Sequence, residues 1–317
     1  MAALRPGLAA APPARPGHDP RRRRPRGPLA QAFSRTLRNP MGALGLALLL
    51  GLVLAGLAAP VIAPFSPIDQ LRGKELVPPG WPHILGTDEF GRDLFSRILF
   101  GTRISLLVGV VAVGVGAGIG IPAGLIAGYF GGRLDAAIMR FCDVLLAFPG
   151  ILMGIAVVTI LGAGAVNAAL ALAIVSIPQF SRLMRACVLV EREREYVQAA
   201  RCLGAADRRV VVRHILPNSL GPVLVQITIS MGFAVLLEAG LSFLGIGTQP
   251  PDPSWGSMLK DSRPYLGRAP WYGIWPGVAL AVLLLGLNYI TDALRDALDP
   301  RRINKAATWR RRGGRTA

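Results

Sequence analysis

The sequence predicts an all-α integral membrane protein with six transmembrane helices. Three observations predict it. Hydrophobic residues make up 52% of the chain and charged residues only 17%, where a soluble domain carries about a quarter charged. Uncharged runs reach the ~20 residues needed to cross a ~30 Å hydrocarbon core. The basic residues bunch in alternate segments between those runs. The net charge of +17 raises nucleic acid as a partner, but nucleic-acid binders gather Lys and Arg on one folded face. Here they are divided among short connections and the two tails, so membrane topology accounts for them and no nucleic acid is expected.

Residues 1–28 are rich in Pro, Ala and Arg and cannot bury a core, so a disordered basic tail is expected there. Met41–Ala63 is a 23-residue uncharged run, the first span. The competing reading is a cleaved signal peptide, with Arg21–Arg26 as its basic region. The run exceeds the ~7 to 15 residues of such a peptide's apolar region, and further spans follow. The second uncharged run is Ile104–Gly132, between Arg103 and Arg133. The third and fourth spans share Val144–Ser181, 38 residues without a charge; so long a run has to turn, and LGAGAVN (Leu161–Asn167) is the place. The fifth span runs from about Leu220 to Ile246 with Glu238 as its single charge. The sixth runs from about Trp271 to Thr291, opened by Trp271, Tyr272 and Trp275, residue types that favour lipid headgroups.

Six spans put both ends on one side, and the positive-inside rule says which. The N-terminal tail holds 9 Lys and Arg, residues 133–140 hold 2, residues 182–213 hold 8 and the C-terminal tail holds 8, while the remaining connections hold only 8 of the 35. Both termini and the 182–213 segment are therefore expected in the cytoplasm, and the chain in the cell (inner or plasma) membrane, with lipid contact at its basic tails.

Gly116, Gly120, Gly124 and Gly128 recur every fourth residue, so one helix face is lined with hydrogen and another helix backbone can approach closely. Gly118-Ile-Gly120-Ile-Pro122-Ala resembles a degraded dinucleotide fingerprint, but it lies inside a span rather than after a strand. Cys142, Cys187 and Cys202 lack metal-type spacing. No phosphate loop, zinc-protease motif or nucleophile–base–acid set is present, so no catalytic, cofactor or metal site is expected in this chain. Two ionisable residues within spans stand as candidates, since a charge there costs roughly 2.5 to 3.5 kcal/mol. For Asp143, interfacial solvation or a pair with Arg140 is the simpler reading. Glu238 lies deeper, where capping a broken helix, bonding a partner subunit and lining a pathway are all open.

The charged segment EYVQAARCLGAADRRVVVRHILPN (Glu195–Asn218) interrupts this apolar chain. Glu191–Leu203 reads as a helix with Glu191, Glu193 and Glu195 early, where the helix dipole favours negative charge. Gly204 reads as its stop. Asp207 lies near the start of a second short helix with an apolar side of Val210, Val211, Ile215 and Leu216, which Pro217 is expected to break. A helix, Gly turn, helix unit is the result. It fits either an amphipathic element resting on lipid or a docking element for a partner.

The segment resembles the "EAA" loop of ABC importer permeases. Gln198-Ala199-Ala200 stands for E-A-A, then Gly204, then His214 at the Ile position, then Leu216-Pro217, all at the family's spacing. Gln198 departs from the usual Glu; His214 is a variant of the peptide-importing branch. HILGTDEFGRDLFSRILFGTRISL (His83–Leu106) resembles the L-G-T-D-x-x-G-R-D-x-x-S-R segment of the C-type subunit of dipeptide and oligopeptide permeases. DVLLAFPGIL, LEAGLSFLGIG and DALRDALDPR also resemble that subunit, and the likeness extends from about Leu37 to Arg302.

The resemblance implies a five-helix permease core like that of the methionine importer, at residues 100–298, with a coupling segment at 195–218. Residues 29–99 would be an N-terminal helix and external loop, and 299–317 a basic C-terminal tail. It implies a subunit of an ATP-driven importer of di- and oligopeptides, not itself an enzyme. Its partners would be a second homologous permease, two cytoplasmic ATPases that carry ATP and Mg, and an extracytoplasmic solute-binding protein. Glu195, Gln198, Ala199, Ala200, Gly204, Asp207, Leu216 and Pro217 would contact the ATPase. The same assembly importing nickel or another small solute is an alternative. A secondary transporter driven by ions is a rival from another class, but the repeated halves and midplane coordinating groups it usually shows are not found.

Overall fold

The computed structural model describes residues 34–298, so the two basic tails expected at 1–28 and 299–317 lie outside the described residues. Helix α1 (Pro40–Leu57) opens with Pro40, where a missing N–H costs nothing, and Asn39 caps it by accepting the Met41 N–H at 3.0 Å. A single turn, α2 (Ala59–Ile62), follows. Helix α3 (Leu94–Phe130) has 37 residues, about 55 Å at ~1.5 Å per residue. It begins well before the uncharged run, because Asp93 accepts the Ser96 N–H at 2.8 Å and sets the start there.

The glycine face of α3 packs on α6 (Ala165–Glu191). A Cβ built at Gly116 would lie 2.7 Å from Ser176 Cβ, at Gly120 2.7 Å from Phe180 Cβ, at Gly124 2.9 Å from Met184 Cβ and at Gly128 2.8 Å from Val188 Cβ. Numbers rise together on both helices, so α3 and α6 run parallel, in contact over some three turns. Any side chain larger than hydrogen would push them apart. In the same way Gly42 and Gly45 seat α1 against Ala293 and Tyr289 of α11 (Pro270–Leu298).

Between the parallel pair the chain crosses and returns. The expected turn is there: the chain reverses at Gly162–Gly164, and Asn167 Nδ2 donates to the carbonyls of Leu161 (2.9 Å) and Gly162 (3.0 Å). The approach to it differs from a straight third span. α4 (Gly132–Leu146) and α5 (Gly150–Leu161) meet at 89°, because Pro149 lacks an N–H and steers Phe148 away from helical geometry. α4 carries the charges, and Asp135 takes a two-pronged bond from Arg185 (2.5 and 2.6 Å). Among the described residues five helices are long and apolar enough to span a membrane, or six spans when the bent pair is counted as one.

After α6 come the short helices α7 (Glu195–Cys202) and α8 (Asp207–Val210), a π-helical turn (Val211–Ile215) and α9 (Leu216–Phe243). Then follow α10 (Trp255–Ser262) and α11. Trp255 is fully buried and its Nε1 donates to the Ile98 carbonyl at 3.2 Å, tying α10 to α3. Tyr272, expected at the headgroups, is instead fully buried against Leu94 and Met258. The Trp271 ring covers Gly86 of the loop before α3. Trp271 and Tyr272 of the aromatic cluster therefore close on the protein's own loop and on the start of α3.

That loop and the first turn of α3 hold the block His83–Arg97, tied together by its own hydrogen bonds. Asp88 Oδ1 accepts the N–H groups of Phe90 and Arg92 at 2.9 Å each; Oδ2 accepts Arg92 Nε at 2.6 Å and lies 3.4 Å from Arg97 Nε. His83 Nδ1 stands 3.0 Å from Asp93 Oδ1, and Arg97 Nη1 donates to the Pro67 carbonyl at 2.9 Å. Asp88, Arg92, Asp93 and Arg97 are all buried.

Candidate functional site

The segment from Glu195 to Asn218 lies at the end of the bundle where α3 and α6 both finish. Its first helix is shorter than the sequence suggests. Glu191 ends α6, Glu193 sits in the turn, and only Glu195 occupies the first turn of α7. The stop falls at Gly204 as expected, by a specific geometry. Gly204 has φ +78°, its N–H donates to the Arg201 carbonyl at 2.9 Å, and the Ala205 N–H reaches back to Ala200 at 3.1 Å. This pair of bonds is the Schellman motif, in which glycine takes the left-handed position without steric cost. Pro217, expected to break the second helix, does not. The π-turn at Val211–Ile215 carries the chain into α9, with Pro217 in the first turn where its missing N–H is harmless.

One face of α7 is anchored. Val197 is fully buried in a cluster with Tyr129, Met184, Val188, Val210, Ile215 and Val223. The remaining face is presented: Glu195, Gln198, Ala199 and Gly204 are exposed, Ala200 and Leu216 are half-buried, and Asp207 and Pro217 are exposed. Leu203 stands 88% exposed at the tip, an apolar knob that sequence reasoning did not single out. Its signal was available, since it is an apolar residue directly before a helix-stopping glycine.

Three braces hold the segment. Tyr196 OH donates to Glu191 Oε2 at 2.6 Å and accepts from Asn218 Nδ2 at 3.0 Å, so the entry and exit of the segment close on each other. Burial, and after it the bond to Glu191, pushes this hydroxyl above its ordinary pKa and keeps it protonated. Arg192 Nη1 donates to the Gly128 carbonyl at 2.9 Å. Tyr129 OH donates to Asp207 Oδ1 at 2.5 Å. Gln198 Nε2 makes one long bond, 3.3 Å, to the Glu193 carbonyl.

The two candidates within spans lie apart from this segment. Asp143 does not pair with Arg140. Its Oδ1 accepts Arg182 Nη2 of α6 at 2.6 Å, with both side chains about half exposed. Glu238 is fully buried. Its Oε1 accepts the hydroxyls of Ser242 (2.7 Å) and Thr248 (3.2 Å), and its Oε2 that of Ser105 (3.4 Å). The Thr248 N–H in turn donates to Ser242 Oγ at 3.0 Å. No group of three or more His, Cys, Asp and Glu with metal-holding geometry occurs among the described residues.

Residues 120–304, more than half of the chain, match the family model of the binding-protein-dependent transport system inner membrane component. Residues 27–79 match the N-terminal transmembrane domain of oligopeptide transport permease C. A dipeptide transport system permease protein of Alkalihalophilus pseudofirmus is 44% identical over 274 residues, covering 86% of this chain and 90% of its own. A di/tripeptide transport system permease protein of Pseudomonas aeruginosa is 43% identical, covering 86% and 93%. A glutathione transport system permease protein of Pectobacterium atrosepticum is 48% identical over 223 residues, covering 70% and 74%. Among solved structures, an inward-facing methionine ABC transporter superposes at TM-score 0.55 and 20% identity, covering 64% of this chain and 96% of that one.

Proposed function

The chain belongs to the inner-membrane permease family of binding-protein-dependent transport systems, and from that premise we propose that it carries di- and oligopeptides into the cell, with Glu195–Asn218 as the surface on which its ATPase partners act. It is a multi-pass permease subunit of a peptide-type ABC importer; a second permease, ATPases and a solute-binding protein complete the assembly, and the ATPase subunits hydrolyse the ATP. The observation that supports the cargo is the identity of 42 to 44% to dipeptide and di/tripeptide permeases over nearly the whole chain. The glutathione relative keeps a second cargo in view, itself a small peptide. The termini and the 182–213 segment face the cytoplasm, a reading supported by the bunching of basic residues there.

Several features support the coupling role of Gln198, Ala199, Ala200, Gly204 and their neighbours. A short helix with one buried anchor, Val197, presents small residues that permit close approach, and it is tethered at both ends to long helices. Such an element moves as a lever when a partner closes on it. Asp143 and Glu238 we read as structural: the first clamps α4 to α6, and the second staples α3, α9 and the loop after it.

Reconstitution of the full importer in proteoliposomes tests the reading. Ala200→Glu and Gly204→Asp are expected to leave the chain in the membrane while uptake of a labelled dipeptide driven by ATP is lost. Normal uptake by both variants would sink the coupling surface, and uptake of glutathione but no dipeptide would move the cargo to the second reading.

A further inference from the structure

Tyr129 stands outside every motif of the sequence, yet it touches both halves of the helix, Gly turn, helix unit at once. Its hydroxyl donates to Asp207 Oδ1 of α8 at 2.5 Å. The Arg201 guanidinium of α7 lies 5.0 Å over the centre of its ring. The residue is only 8% exposed and packs with Val197 and Val210, the buried anchors of α7 and α8. Gly204 between those two helices has open space where a Cβ would sit, so no side chain at the turn's left-handed residue braces the angle, while Ala205 beside it packs on the same cluster as Tyr129. Tyr129 is also the penultimate residue of α3, just past Gly128, where α3 and α6 are in close contact.

We propose that Tyr129 is a positioning residue for energy coupling: it sets the angle between α7 and α8 and joins the unit they form to the paired helices α3 and α6. The inference rests on the coupling role proposed for Glu195–Asn218. Without Tyr129 a push on α7 is taken up as rotation about Gly204. With it, the push moves Asp207, Arg201 and the end of α3 together. A hydrogen bond to a charged acceptor and a cation over a ring face are strong enough, in this partly buried place, to resist that rotation.

The test uses the complete importer in proteoliposomes and reads labelled dipeptide taken up per ATP hydrolysed, together with the amount of ATPase that co-purifies with the permease. Tyr129→Phe keeps the ring and removes only the hydroxyl. Its uptake per ATP is expected to fall about tenfold, the loss of one charge-assisted bond, with co-purification unchanged. Asp207→Ala is expected to fall equally, the double variant no further than either, and Asp207→Asn, which keeps an acceptor oxygen, less. An unchanged ratio in Tyr129→Phe, losses that multiply in the double variant, or loss of the ATPase from the complex would each overturn the proposal. Ala200→Glu serves as the control for the underlying reading. If it abolishes uptake while Tyr129→Phe changes nothing, the positioning role alone falls; if it too leaves uptake intact, the coupling surface falls and this inference with it.

Discussion

The two charged regions of this chain sit at opposite ends of α3 and use charge in opposite ways. In the block at the start of α3, Asp88, Arg92, Asp93 and Arg97 are buried, and the carboxylates accept backbone N–H groups and guanidinium donors from within the block. In the segment after α6, Glu195, Gln198, Arg201 and Asp207 stay exposed, and its structure rests on a buried valine, a glycine turn and a few tethers. Burying ions is costly unless every partner is present, so the first arrangement specifies one rigid shape. Exposed charges cost little; Arg201 and Asp207 are tethered to Tyr129 while Glu195 and the polar Gln198 stand open to another molecule, so the second makes a surface.

The sharpest test of that contrast is Asp88→Ala. It leaves Arg92 and Arg97 buried without their shared carboxylate, and about 3 to 5 kcal/mol of destabilisation is expected. The amount of intact chain in membranes and the thermal midpoint of the detergent-purified chain measure it. A normal midpoint would mean the block is not the rigid element described. Gly204→Ala should do far less. No atom obstructs the added methyl, so the cost is the left-handed backbone alone, roughly 1 kcal/mol. A loss of midpoint as large as that of Asp88→Ala would erase the distinction between the two regions.

A third test is the response to pH, the smallest effect. Burial holds the Glu89 carboxyl above its ordinary pKa. The folded state therefore binds a proton that the unfolded chain has already lost in the window just above the ordinary glutamate value. Stability from this group is fully present below that window and declines as pH rises through the raised pKa. The midpoint of the chain is expected to fall over that range, and Glu89→Gln to flatten the response. An identical pH profile in Glu89→Gln would remove Glu89 as its cause.

Run lengths and charge bunching were enough to find five long helices and the turn at Gly162–Gly164, because crossing a bilayer demands them residue by residue. The spacing Ala199, Ala200, Gly204, Leu216, Pro217 pointed to the segment proposed as the coupling surface, and its glycine stop was legible because a left-handed turn demands that residue. Other features needed partners far along the chain. Asp143 pairs with Arg182 rather than its neighbour Arg140, Tyr129 bonds Asp207, and Tyr272 is covered by Leu94 and Met258. Pro149 marked the 89° break between α4 and α5 in plain sight, but run length and charge carry no direction, so the bend was not read from them.

By itself the sequence determined where the chain meets hydrocarbon, which segments carry basic charge, and where glycine allows a stop or a close approach. These follow from solvation and backbone sterics, which act locally. The tertiary structure alone decided that the glycine face of α3 meets α6 in parallel, that the charges at the start of α3 turn inward, and that a tyrosine at the end of α3 bridges both halves of the exposed unit. Those outcomes depend on which distant surfaces meet, and packing between helices chooses them.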